Sequence, residues 1–134
     1  MKKFFIPLCM VWLSTPVFGE LRLYSDESNP EFLGCLTCPS GLFDSICNKY
    51  TRYGSKYQNS IWNPYQKYGS PYQVHGPWNE YSTSGPKIFD GDGKYYGRFT
   101  INLYVEGNNE RLNELYHYMD GDLEKVRDVL CKDR

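Results

Sequence analysis

The sequence predicts a small α+β domain: a turn-rich tyrosine repeat stapled by disulfides, a β-hairpin and a C-terminal helical hairpin. Three observations predict it. A fifteen-residue unit recurs between residues 45 and 81, four cysteines follow an export signal, and two stretches near the C-terminus carry helical periodicity. The 134 residues suffice for one domain. An aromatic content of 17% excludes a disordered chain, and 15 basic against 16 acidic side chains disfavour a nucleic-acid partner.

Residues 1–19 read as a secretory signal peptide. Lys2 and Lys3 supply the positive start, Phe4 to Leu13 a short apolar run, and Val17-Phe18-Gly19 a cleavage site before Glu20. The apolar run is ~10 residues, about half of what a membrane-spanning helix needs, and no later segment is apolar enough to cross a bilayer. Cys9 leaves with the signal. Residues 20–134 then form a single exported domain, periplasmic or secreted, with 13 basic and 16 acidic side chains.

Four cysteines remain: Cys35, Cys38, Cys47 and Cys131. An even count in a short exported chain points to disulfides, with Cys131 joined to one of the other three, because the compartment is oxidising. Three pairings are open at this stage. Cys35-Leu36-Thr37-Cys38 has the C-x-x-C spacing of redox and zinc sites. Pro39, Ser40 and Gly41 follow it in place of a helix, which favours a structural bond over a reactive thiol. The second half of a four-thiolate zinc site lacks close pairing, so no metal or other cofactor is expected.

From Ser45 to Tyr81 the only Leu, Ile or Val residues are Ile46, Ile61 and Val74, whereas seven of the 13 tyrosines lie there. Residues 45–57 and 60–72 agree at eight of 13 positions, giving the unit S-I-x-N-x-Y-x-x-Y-G-S-x-Y. Gly76-Pro77-Trp78-Asn79-Glu80-Tyr81 is a truncated third copy. Asn followed by Lys or Pro predicts an Asx turn, and Tyr-Gly-Ser a second turn with glycine in a left-handed conformation. With so few aliphatic side chains, aromatic contacts must supply the packing.

Residues 86–104 predict a β-hairpin. Lys87-Ile88-Phe89 leads into the turn Asp90-Gly91-Asp92-Gly93, and the chain then alternates to Tyr104, with Gly97 marking a bulge. The turn begins like a calcium loop, but Lys94 and Ile101 stand where an EF-hand needs oxygen donors. Residues 108–132 predict a helical hairpin. Leu112, Leu115, Tyr116 and Met119 share one face, and Leu123, Val126 and Leu130 another, with Gly121 and Asp122 as cap residues between them.

The units around Asn48, Asn63 and Asn79, followed by Pro86-Lys87-Ile88-Phe89-Asp90 and Tyr96-Gly97-Arg98-Phe99, resemble an uncharacterised family of small exported bacterial proteins. Tandem N-x-Y-x-x-Y-G-S-x-Y repeats mark that family. The resemblance spans residues 32–104 and carries no catalytic residues with it.

Chemistry is sparse. His75 and His117 are the only imidazoles, and no G-x-S-x-G nucleophile turn accompanies them. Asp120, Asp122 and Glu124 crowd a helix start, where the dipole stabilises carboxylates. The reading that emerges is a non-catalytic module binding an envelope polymer or a periplasmic or extracellular protein. The expected binding residues are Tyr50, Tyr53, Trp62, Tyr65, Tyr68, Trp78 and Tyr81, with both tryptophans partly exposed. Lys49, Arg52, Lys56 and Lys67 against Glu80 would favour an anionic polymer. The alternative is a small periplasmic enzyme using the clustered carboxylates or the C-x-x-C thiols.

Overall fold

The computed structural model describes residues 19–134. Residues 1–18, on which the signal-peptide expectation falls, lie outside the described residues. Four short strands come first and two helices last: β1 (Arg22–Tyr24), β2 (Phe32–Cys35), β3 (Lys87–Phe89), β4 (Tyr95–Arg98), α1 (Glu110–Tyr118) and α2 (Leu123–Leu130). The repeat fills the interval between β2 and β3 and contains no strand of its own.

The strands pair antiparallel in the order β2-β1-β3-β4, so the predicted hairpin forms only half of the sheet. β1 and β2 add a second hairpin that the alternation of residues 20–35 is too short to announce. Leu23 and Ile88 face one another in the register and are both buried. The β3–β4 turn is as expected: the Asp90 carboxylate accepts from the Asp92 and Lys94 amides at 2.8 and 2.9 Å. The second strand, however, stops at Arg98. Residues 99–104 leave the sheet, and the Phe99 amide donates instead to the Pro86 carbonyl.

The helical hairpin follows the sequence closely. Asn109 caps α1 by accepting from Leu112, and Asp122 caps α2 by accepting from Glu124 and Lys125. Gly121 takes a positive φ between them. Leu112, Leu123 and Val126 are buried, with Leu115, Tyr116, Met119 and Leu130 packed against the same core.

All four cysteines are bonded, Cys35 to Cys38 and Cys47 to Cys131. The second bond fastens the end of α2 to the first repeat unit. Arg127 reinforces it: buried, it donates to the Gly54 carbonyl at 2.9 Å.

The turn joining β1 to β2 acts as a polar clamp. Asp26 lies 2.9 Å from Arg98 and 3.3 Å from Lys87, while Glu27 binds Lys67 at 2.5 Å and the Tyr68 hydroxyl at 2.6 Å. Hydrogen bonds from Lys67 and Tyr68 lower the Glu27 carboxyl from 4.5 to about 2. A depressed folded-state value means that the contribution is complete above the unfolded value and is lost as pH falls toward the folded one. Lys67 is exposed, so solvent screening holds the contribution to about 1–2 kcal/mol. Stability should therefore fall between pH ~4.5 and ~2 more steeply in the wild type than in Glu27→Gln. Urea midpoints across that range give the comparison, and parallel curves would remove Glu27 from the clamp.

Candidate functional site

Each unit is a pair of side-chain-capped turns. Asn48, Asn63 and Asn79 accept through Oδ1 from the amides of Tyr50, Tyr65 and Tyr81, at 2.9–3.0 Å. Their Nδ2 groups donate to the carbonyls of Leu42, Gln58 and Gln73. Ser55 and Ser70 cap the second turn in the same way, accepting from Tyr57 and Tyr72. Asn is required because one amide both accepts locally and donates across the loop.

The Asx turns match expectation; the glycines act differently. Gly54 and Gly69 lack a positive φ. They are glycine because a Cβ there would drive into the Asn48 and Asn63 carbonyls. The six-residue spacing from Asn to Gly in the unit is thus a steric requirement, not a left-handed turn.

The interior of the repeat is formed by tryptophan. Trp62 and Trp78 are each 1% exposed, which overturns their expected partial exposure. Their rings lie 5.7 Å apart, and Trp78 also stacks on Tyr116 at 5.4 Å and meets Phe99 edge-on. Each indole N–H donates back to the preceding unit, Trp62 to Ile46 and Trp78 to Ile61. Cys47 fills the equivalent place in the first unit, where the bond to Cys131 replaces an indole. The position is therefore buried in all three units.

Tyr68 is also buried, with its hydroxyl committed to Glu27. Tyr53 is half-buried against Phe32 and Phe43. Tyr50, Tyr65 and Tyr81 remain as accessible members of the expected set, joined by Tyr57 and Tyr72, which the sequence reading passed over. These five are between 82% and 90% exposed. They occupy two places in the unit, N-x-Y and S-x-Y, and both places have their amide held by a side chain. The spacing itself carried that signal, since a tyrosine two residues after a capping Asn or Ser sits at the tip of a turn.

A fourth, degenerate unit follows β4. Thr100-Ile101-Asn102-Leu103-Tyr104 lacks one residue between Ile and Asn, yet the Asn102 Oδ1 accepts from the Tyr104 amide at 2.9 Å. Ile101 is buried and Tyr104 is 97% exposed. Asn102 donates to the Ser82 carbonyl and the Ile101 amide to that of Pro77, tying this unit to the third.

Comparison of the chain with protein-family models, curated proteins and solved structures returned no match.

A groove of about 510 Å³ lies between consecutive units, with Tyr57 and Tyr65 beside the Trp62 slot and Leu123 and Glu124 of α2 opposite. Its charges are spoken for. Lys56 pairs with Glu124 at 3.1 Å and Lys67 with Glu27, so two of the four cations read from the sequence are neutralised, while Lys49 and Arg52 make no ion pair among the described residues. Cations already lie over several rings: Lys49 over Tyr50, Lys56 over Tyr57 and Lys94 over Tyr96, at 5.3–5.7 Å.

Neither catalytic alternative gains from the structure. Cys35 and Cys38 are 0% and 1% exposed, and thiol exchange needs an accessible sulfur. Asp122 is a helix cap and Glu124 is held by Lys56 and, at 3.6 Å, by Arg127. The Glu80 carboxylate lies 3.9 Å from His117 Nε2, but both side chains are about half exposed. No helix among the described residues is long and apolar enough to cross a membrane.

Proposed function

We propose that this chain is an exported, non-catalytic module that binds an uncharged polysaccharide of the cell envelope through its outward tyrosines. One observation carries the reading: five tyrosines at two recurring places in the unit project 82–90% exposed from turns whose backbones are pinned. Tyrosine presents a flat apolar face and a hydroxyl at small conformational cost, and a pinned backbone lowers that cost further. Exposed rings recurring at fixed places in a repeated unit suit a repeating, neutral, polyhydroxylated ligand. The disulfides support an oxidising compartment outside the cytoplasm, and membership of the exported repeat family belongs to the same proposal.

Retention on insoluble neutral polysaccharides (chitin and cellulose) and on anionic ones (alginate and teichoic acid) tests it. The wild type should be retained on a neutral polymer and pass through the anionic ones. Tyr50→Ala, Tyr65→Ala and Tyr81→Ala combined should weaken retention at least ~100-fold, because rings at a binding centre are worth ~1–2 kcal/mol each. The melting temperature should move by no more than ~2–3 °C, as expected of exposed positions. Retention on anionic polymers alone, or on none, would overturn the reading.

A further inference from the structure

A second cleft lies at the far end of the repeat, where the fourth unit returns against β4. It encloses about 730 Å³ and is lined by Thr83, Tyr95, Tyr96, Arg98, Tyr104 and Glu106. Its floor is backbone. Gly97 and Gly107 both take positive φ, and a Cβ on Gly97 would stand 2.7 Å from the Gly107 carbonyl oxygen, to which the Arg98 amide donates at 2.8 Å. Removing both side chains at this crossing leaves a recess between the rings.

The rings are placed independently of one another. Tyr95 leans on Phe89 with centroids 5.5 Å apart, and the Tyr96 hydroxyl is anchored to Asp90 at 2.9 Å. Tyr104 projects from its capped turn. Arg98 is the cation among the lining residues, and it is consumed by Asp26 at 2.9 Å and by the Gly85 carbonyl at 2.7 Å. Glu106 is exposed and makes no ion pair among the described residues. The recess therefore combines aromatic faces, a hydroxyl at Thr83 and an unpaired carboxylate at Glu106, with Lys94 held over the Tyr96 ring at 5.3 Å. That chemistry fits a neutral ring bearing hydroxyl donors, which stacks on the aromatic faces and donates to the carboxylate.

We propose that this cleft is a binding site for a single sugar residue at the end of a neutral glycan, separate from the tyrosines of the first three units. The proposal rests on the polysaccharide reading above for the ligand class, but it concerns other residues and a soluble ligand. Tyr104 holds the N-x-Y place in the fourth unit, as Tyr50, Tyr65 and Tyr81 do in the first three.

The test is titration of the disulfide-bonded protein with three neutral trisaccharides (chitotriose, cellotriose and maltotriose), followed by tyrosine side-chain NMR and calorimetry. Saturable binding of at least one is expected, with shifts at Tyr95, Tyr96 and Tyr104. Tyr104→Ala, at a fully exposed position, and Thr83→Trp, which fills the recess, should each weaken it at least ~10-fold, whereas Tyr118→Ala, at an exposed position on α1 outside both surfaces, should leave it within ~2-fold. If polymer retention is observed but no trisaccharide binds, the cleft proposal fails and the polysaccharide reading stands. Binding that is lost in Tyr65→Ala and kept in Tyr104→Ala would also overturn it, as would preferential binding of trilysine.

Discussion

Trp78→Ala should lower stability by about 4–5 kcal/mol and the melting temperature by roughly 15–20 °C. The indole is the hub of the aromatic core, touching Trp62, Phe99 and Tyr116, and its N–H is the donor that the buried Ile61 carbonyl receives. Truncation leaves a cavity bounded by rigid rings and takes that donor from the carbonyl, two costs that add. Thermal unfolding followed by far-ultraviolet circular dichroism measures the change. Trp78→Phe should recover part of it, because the ring returns without the donor. A shift of only a few degrees for Trp78→Ala would mean that the slot is not the interior of the repeat.

Loss of the Cys47–Cys131 bond should be of similar size, whereas loss of Cys35–Cys38 should be minor. The first closes a segment of 84 residues and the second only 3. In the chain-entropy description these loops are worth ~4–5 and ~2 kcal/mol. Cys47→Ala with Cys131→Ala also empties the tryptophan slot of the first unit and frees the end of α2, leaving Arg127 to hold that helix to Gly54. Urea denaturation of the two double variants, both without reductant, separates them. Equal midpoints would contradict the role given to the long bond.

The helical hairpin was legible because its apolar spacing and its caps, Asp122 above all, agree with each other. Strands of three and four residues are different: β1 and β2 hold too few alternating positions to stand out from a charged segment. Residues 99–104 read as strand because the alternation continues past Arg98, and the one-residue deletion beside Asn102 hid the resemblance to Asn48 and Asn63. The capped turns of the repeat were readable from Asn, Ser and Gly, but their inside and outside were not. A turn unit of fifteen residues has no period of 2 or 3.6 from which a buried face can be read. The scarcity of Leu, Ile and Val held the answer: with three aliphatic residues in the segment, the two indoles had to be the core, and their lone donors could be satisfied by the preceding unit's carbonyls. Tyrosine, with a hydroxyl that water satisfies, was free to face outward. The cations misled for a related reason. Lys56 and Lys67 meet carboxylates 68 and 40 residues away, at distances along the chain that local charge counting does not see.

Hydroxyl-radical footprinting of residues 20–134, free and bound to the retaining polysaccharide, tests inside and outside in one measurement. Tyr50, Tyr57, Tyr65, Tyr72 and Tyr81 should be modified rapidly in the free protein and protected on the polymer, while Trp62 and Trp78 stay unmodified in both. Rapid modification of either tryptophan, or five tyrosines equally reactive with and without polymer, would contradict a repeat that is core on its indole side and a glycan-binding surface on its tyrosine side.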